Sequence, residues 1–133
     1  MKAKKHLGQH FLTSQKALSD IVDAGDIHAD DLILEIGPGK GVLTEKLVAL
    51  AGKVIAIEKD AELIPLLKDR FTKELGSGRL EILCKDILKF DPEVLGFYNR
   101  PYKLIANIPY YITGEIIEKF LSTNNQPENM VLL

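Results

Sequence analysis

The sequence is poor in cysteine and has no long hydrophobic run, and each absence argues against a class of protein. The one cysteine, Cys84, has no partner in the chain for a disulfide, so nothing points to a secreted, disulfide-stabilised fold. No stretch reaches the roughly 18 apolar residues of a transmembrane helix, and the first residues, MKAKKHLGQHFL, lack the apolar segment of a signal peptide. We therefore expect a cytoplasmic protein without membrane contact.

Charge of one sign is not in excess either. The 133 residues carry 17 Lys and Arg against 19 Asp and Glu, and the net charge of −2 gives no general reason to propose nucleic acid binding. Residues 1–16 differ, because they contain Lys2, Lys4, Lys5 and Lys16 and no acid. Such a basic arm can contact phosphate groups. A tail that is simply exposed to solvent explains the four lysines equally well. The length and the 46% hydrophobic content predict one packed domain.

Short apolar segments alternate with segments of helical periodicity. The predicted strands are 32–36, 54–57, 80–84, 104–106 and 130–133, and the predicted helices lie near 18–22, 43–51, 63–71 and 116–121. Pro65 is unfavourable inside a helix, so it indicates a start near Glu62 or a kink. Strands that are almost entirely apolar indicate a mostly parallel sheet covered on both faces. The predicted fold class is therefore α/β, doubly wound.

The chain ends at NMVLL, inside the fifth predicted strand. An apolar strand with no polar residue after it leaves an edge that invites pairing with another chain. We therefore expect residues 1–133 to be a single incomplete domain, truncated after the fifth strand, whose exposed edge favours self-association.

A glycine-rich turn, EIGPGKGVLT at residues 35–44, joins the first strand to the next helix. In open α/β sheets ligands bind beyond the carboxyl ends of the strands, and glycine allows close approach to the backbone. Starting from Gly37, both the P-loop and the dinucleotide-binding pattern require glycine at the position of Val42. Pro38 also lacks an N–H that a pyrophosphate could use. The turn therefore favours a nucleotide-type cofactor that places no phosphate here, and it disfavours an NAD-dependent dehydrogenase.

Two acids follow the next two strands. Glu58 ends the second strand, 21 residues after Gly37, where a carboxylate can accept both hydroxyls of a ribose. Asp86 follows the third strand, where it can accept from the exocyclic amine of adenine. Each has a structural alternative, since Glu58 and Asp60 suit a helix start and Asp86 can cap a short helical stretch. Their position on successive strand ends favours an adenosine.

The segment NIPYY follows the fourth strand. Pro109 biases Ile108 toward extended backbone, so Asn107 and the Ile108 carbonyl can present two acceptors beside the ring of Tyr110. Two acceptors and a stacking ring suit an adenine N6 amine that has left its helix. The alternative is an ordinary strand end and proline turn before a helix capped by Thr113.

Taken together, GQHFL, EIGPGKGVLT, AIEKD, CKDIL and NIPYYIT resemble the ribosomal RNA adenine N6-dimethyltransferases that use S-adenosylmethionine. The resemblance runs from about Lys5 to the end and is strongest to the small-subunit branch. It implies a Rossmann-like methyltransferase that modifies N6 of adenine in 16S ribosomal RNA during ribosome maturation, with the small subunit as partner. It also implies further strands and a small helical RNA-binding domain, both absent from residues 1–133. We therefore expect residues 1–133 alone to bind S-adenosylmethionine weakly and to methylate poorly or not at all.

The resemblance also implies a set of site residues. The implied cofactor-binding residues are His10, Leu12, Glu35, Gly37, Gly39, Glu58, Asp86 and Asn107, and the implied catalytic residues are Asn107, Ile108, Pro109 and Tyr110. His10 and Leu12 would close over the cofactor, and Glu35 would lie near its ammonium group. Many members have Asn at the position of His10, so we expect a backbone contact there.

No metal site is predicted. His6 and His10 have the spacing of helical ligands, but no cysteine or acid joins them at a suitable position. Cys84 is most simply a small buried apolar residue.

Two other functions stay open at this point. One is an erythromycin-resistance-type methylase that acts on large-subunit ribosomal RNA. The other is a non-catalytic RNA-binding assembly factor that has kept the fold.

Overall fold

The computed structural model describes residues 15–108 and 110–132, without the side chain of Tyr110. The helices are α1 (Gln15–Gly25), α2 (Val42–Leu50), α3 (Ile64–Arg70), α4 (Thr72–Gly76) and α5 (Thr113–Ser122). The strands are β1 (Leu32–Ile36), β2 (Lys53–Glu58), β3 (Leu80–Cys84), β4 (Tyr102–Ala106) and β5 (Asn129–Leu132), and short 3-10 helices span Ile87–Lys89, Pro92–Tyr98 and Tyr110–Ile112. The sheet order is β3-β2-β1-β4-β5, and every pair of neighbouring strands is parallel. The predicted doubly wound α/β fold is confirmed.

The apolar segments fold this way because both faces of the sheet are covered. One apolar core packs α1, α2 and α3 against the sheet, and it includes Ile33 and Phe71. A second core lies on the opposite face, where α5 and the 3-10 helices cover Leu34 and neighbouring side chains. All five residues of β1 are buried, as expected of a central parallel strand. No helix in the described part of the chain has the length and apolar character to cross a bilayer.

The parallel register brings the strand ends together at one edge of the sheet. Ile36 at the end of β1 pairs with Ile57 of β2 and with Ala106 of β4. On the far side of β2, Glu58 pairs with Cys84 of β3. The residues that follow these strands therefore meet along one line, which we call the carboxyl edge.

Three local expectations change in the structure. Pro65 is the second residue of α3, in the first turn, where its missing N–H would have no helical partner in any case. The predicted cap at Thr113 is wrong, because Thr113 is the first residue of α5 and the cap position belongs to Ile112 without a side-chain hydrogen bond. The expected burial of Cys84 is also wrong, because Cys84 ends the edge strand β3 and is exposed.

Replacing Phe120 by alanine should strongly destabilise the chain, because Phe120 is completely buried in the core beneath α5. We expect a loss of about 3 to 5 kcal/mol in the free energy of unfolding, measured by urea denaturation. Its neighbour Leu121 is 53% exposed, so Leu121→Ala should change stability by less than about 0.5 kcal/mol. Similar losses for the two variants would contradict this packing.

Candidate cofactor and target-base site

The glycine turn lies directly against the Asn107 turn. The Gly37 N–H donates to the Ile57 carbonyl at 2.9 Å, and the Asn107 N–H donates to the Ile36 carbonyl at 2.9 Å. Gly37 has a φ of +74°, and a Cβ at this position would collide with the carbonyl oxygen of Asn107. Only glycine therefore allows the ends of β1 and β4 to approach this closely.

Gly39 differs from Gly37 in what surrounds it. Its φ of +60° also favours glycine, but a Cβ built there would meet no heavy atom within 4 Å. The outer side of the glycine turn thus opens onto free space at the carboxyl edge, where a ligand can approach the backbone.

Glu58 holds the glycine turn in place. Its side chain is nearly buried, and its two oxygens accept from the Gly39 N–H at 3.0 Å and from the Asp60 N–H at 2.9 Å. A carboxylate oxygen has two lone pairs, so each oxygen keeps one acceptor position. Glu58 can therefore anchor the turn and still accept hydroxyl groups from a ligand.

Asp86 also has a structural role. Its Oδ1 accepts from the Leu88 N–H at 3.0 Å and so caps the 3-10 helix Ile87–Lys89, as the alternative interpretation of the sequence proposed. Its Oδ2 lies 3.9 Å from the Lys59 ammonium, and the side chain is 28% exposed. One oxygen of Asp86 is therefore committed to the backbone, and the other remains near the surface of the carboxyl edge.

Glu35 is the least ordinary residue of the site. It is completely buried in β1, and its Oε1 accepts from the Thr44 hydroxyl at 2.6 Å. Its Oε2 is buried, and no hydrogen-bond partner for it lies within residues 15–108 and 110–132. Burial raises the pKa of the Glu35 carboxyl to about 7; the Thr44 hydrogen bond opposes this rise and the nearby Glu58 carboxylate adds to it. A buried polar atom with no partner is costly, so it marks this carboxyl for a role beyond packing.

Asn107 and Ile108 lie partly buried beside Gly37, and no residue in the described ranges hydrogen-bonds to the Asn107 side chain. Tyr110 begins the 3-10 helix Tyr110–Ile112. His10, Leu12 and Pro109 lie outside the described residues. Of the expected site residues, the structure thus brings Glu35, Gly37, Gly39, Glu58 and Asn107 together around the ends of β1, β2 and β4, with Asp86 one strand further along.

The sequence did not reveal the role of Thr44 as the hydrogen-bond donor to Glu35. Its hydroxyl holds Glu35, and it lies in the first turn of α2, completely shielded from solvent. The available signal was the lone acid in the apolar strand LILEI, because a buried carboxylate needs a hydrogen-bond donor nearby. Within residues 15–108 and 110–132, no group of three His, Cys, Asp or Glu side chains is arranged to hold a metal ion.

A family model for ribosomal RNA adenine dimethylase matches residues 1–133. The chain belongs to the ribosomal RNA adenine dimethylase family. Among curated relatives, this dimethylase-family chain is 47% identical over 133 residues to a protein from Dehalococcoides mccartyi named ribosomal RNA small subunit methyltransferase A. That match covers 100% of the chain and 45% of the relative, so the chain spans less than half the length of that protein.

Solved structures agree with the family assignment. The dimethylase-family chain superposes on a dimethyladenosine transferase from Plasmodium falciparum with a TM-score of 0.72 and 35% identity, covering 90% of this chain and 41% of the other. It superposes on the 23S rRNA methyltransferase ErmE with a TM-score of 0.73 and 28% identity, covering 90% and 46%. The Rossmann-like methyltransferase fold is therefore shared with both.

Alanine at Gly37 and at Gly39 should have unequal effects. Both positions have positive φ, which costs a non-glycine residue about 1 to 2 kcal/mol, but only at Gly37 does a Cβ collide with backbone. We expect Gly39→Ala to lower the free energy of unfolding by about 1 kcal/mol and Gly37→Ala to lower it by at least about twice as much. Urea denaturation of the two variants measures this, and equal losses would show that the contact with Asn107 is unimportant.

Replacing Glu35 by glutamine should change how stability depends on pH. Because the carboxyl pKa is raised from 4.5 to about 7 on folding, the folded chain holds a proton that the unfolded chain releases. The parent should therefore lose stability as pH rises from about 4.5 through 7, by at most about 3 kcal/mol. Glutamine does not ionise, so Glu35→Gln should gain stability relative to the parent over this range.

Thermal denaturation at pH 5 and pH 8 tests this expectation. The exposed acid Glu118 provides the control, since Glu118→Gln removes a carboxylate from the surface of α5. A pH-independent difference between Glu35→Gln and the parent would mean that Glu35 is ionised in the folded chain throughout this range.

Proposed function

We propose that this chain carries the cofactor site and the target-base turn of a cytoplasmic enzyme that transfers methyl groups from S-adenosylmethionine to N6 of adenine in 16S ribosomal RNA. The single observation that carries the proposal is the contact between the glycine turn and the Asn107 turn. This contact sets the two turns side by side, so a group held at one is within reach of a base held at the other. The small ribosomal subunit is the proposed partner.

The residues present fit the proposed cofactor. The open side of Gly39 allows an amino acid chain to approach the backbone, and the unpartnered Oε2 of Glu35 suits its ammonium group. Glu58 retains two acceptor positions for ribose hydroxyls, and the partly exposed Asp86 can accept from the adenine amine. His10 and Leu12 complete the proposed set, and Asn107 adds an amide near Gly37.

S-adenosylmethionine, when bound, supplies a methyl group that its positively charged sulfur makes electrophilic. The task of the chain is then mainly to orient the target amine. Asn107 and the Ile108 carbonyl accept from the N6 hydrogens of the flipped adenine, which favours the pyramidal, nucleophilic nitrogen, while Tyr110 stacks on the base and Pro109 fixes the turn. The amine proton leaves to solvent, because the proposed roles require no general base.

The small-subunit substrate is favoured by sequence similarity. The relative named for the small subunit is 47% identical to this chain, whereas ErmE is 28% identical. Methylation assays on both ribosomal subunits, with tritiated S-adenosylmethionine and a full-length protein that contains this chain's sequence, test this assignment. Label in large-subunit RNA alone would replace the proposal with the erythromycin-resistance-type activity, and cofactor-independent RNA binding without methylation would favour an assembly factor.

Asn107→Ala should greatly slow methyl transfer. Removing the amide leaves a target N–H without its acceptor, which costs about 1 to 3 kcal/mol and corresponds to a loss of roughly 5- to 150-fold. The measurement is the rate of methyl incorporation into small subunits at saturating cofactor by a full-length relative with the same substitution, together with calorimetric binding of S-adenosylmethionine to the 133-residue chain.

Asn124 provides a matched control, because it is an exposed asparagine in the loop before β5, at the opposite edge of the sheet. Asn124→Ala should methylate at the parental rate. Full activity of Asn107→Ala would refute the role proposed for the Asn107 turn.

A further inference from the structure

The structure raises a question about Glu35 that its proposed contact with the cofactor does not answer. A carboxylate has about four acceptor positions, yet the described residues give Glu35 one hydrogen bond, from Thr44. Oε2 is buried, and none of the described residues forms a hydrogen bond with it. An ionised carboxylate is poorly stabilised in such surroundings, whereas a protonated carboxyl group is much less costly to bury.

The surroundings of Glu35 offer no positive charge in the part of the chain that the structure describes. Its neighbours across the sheet are Ala56 on β2 and Ile105 on β4. The helices that cover this face contribute apolar side chains, among them Leu18 and Ile21 of α1 and Leu43 and Leu47 of α2. Among the described residues, the charged group that acts on Glu35 is the Glu58 carboxylate, which opposes ionisation.

We propose that the Glu35 carboxyl is protonated in the cofactor-free chain and releases its proton to solvent when the ammonium group of S-adenosylmethionine binds, and that Thr44 is the positioning residue that controls this exchange. This inference rests on the proposed function. One O–H bond of the carboxyl breaks, and the ion pair of carboxylate and ammonium replaces it. Cofactor binding thereby supplies a positive charge that the described residues do not provide at this point.

Thr44 affects the exchange because of the direction of its hydrogen bond. Its hydroxyl donates to Oε1 and so favours the ionised form over the protonated form. It also engages Oε1, so Oε2 is the carboxyl oxygen that remains to pair with the ammonium group. Without this donor the proton should be harder to release, although the shape of the site is unchanged.

Isothermal titration calorimetry tests the proposal directly. The 133-residue chain is titrated with S-adenosylmethionine in phosphate and in Tris, whose different ionisation enthalpies reveal the number of protons released. With a carboxyl pKa of about 7, we expect release of about 0.9 proton at pH 6. At pH 8 we expect net uptake of about half a proton, because the α-amino group of the free cofactor is by then about half deprotonated and must be protonated to form the ion pair. The affinity should be about four- to fivefold weaker at pH 6 than at pH 8. Titration with 5′-methylthioadenosine, which lacks the ammonium group, should release none.

Variants of Thr44 test whether its hydrogen bond to Glu35 controls proton release or only supports the fold. Thr44→Val keeps the shape but removes the donor, so it should bind S-adenosylmethionine about tenfold more weakly at pH 7 and take up fewer protons than the parent at pH 8. Thr44→Ser should restore the parental pH profile. Thr72→Val removes an exposed hydroxyl bonded only to the carbonyls of Lys68 and Asp69, and it should leave the profile unchanged.

Infrared difference spectroscopy provides a second readout. Adding S-adenosylmethionine at pH 6 should remove the C=O stretch of one protonated carboxyl group, and Glu35→Gln should lack this change. If Glu35→Gln does not fold, the parental spectrum and the Thr44 variants still decide the question.

The outcomes distinguish this inference from the proposed function. Binding of S-adenosylmethionine with no proton release at pH 6, or an equal loss of affinity at every pH in Thr44→Val, would overturn the inference and leave the proposed function intact. Binding of NAD but not of S-adenosylmethionine would overturn both.

Discussion

The site depends on the close approach of two strand ends, those of β1 and β4. The Asn107 N–H donates to the carbonyl of Ile36, which extends the pairing of the two strands by one step beyond the sheet. The carbonyl of Asn107 then occupies the space that any side chain at Gly37 would need. A turn suited to a cofactor and a turn suited to a base are thereby fixed in one relative position, and rigid placement of this kind is what a transfer reaction with little acid-base chemistry requires.

Lys103 and Glu35 are ionisable residues buried in central strands, and their surroundings differ. Lys103 of β4 lies near the amino edge of the sheet, where it donates to Asp31 at 2.9 Å and to the carbonyl of Asp26. Burial pushes the pKa of the Asp31 carboxyl up, but hydrogen bonds from the His28 N–H and from Lys103 outweigh it, so the pKa lies below its usual value. Lys103 and Asp31 therefore form their ion pair within the fold. Glu35, by contrast, has no cation beside it among the described residues, so burial raises the pKa of its carboxyl instead.

The acids at the carboxyl edge show that a structural role and a binding role do not exclude each other. The sequence allowed Glu58 and Asp86 to be either ligand contacts or local hydrogen-bond acceptors, and the structure shows the second for both. Each carboxylate has two oxygens with four lone pairs in total, so it can accept these backbone hydrogen bonds and still contact a ligand. The backbone contacts also fix the orientation of each carboxylate, so a ligand would meet preorganised acceptors.

The alternation of apolar strands and helices was enough to determine the fold class and to place all five strands with bounds correct to within two residues, because parallel strands buried on both faces are apolar along most of their length. The order of elements also placed Gly37, Glu58, Asp86 and Asn107 at strand ends. Sequence alone did not determine which of these touch, that Thr44 holds Glu35, or that Cys84 is exposed. Those facts depend on strand order and on the packing of α2 over β1, which join residues far apart in the chain and leave no periodic signal in it.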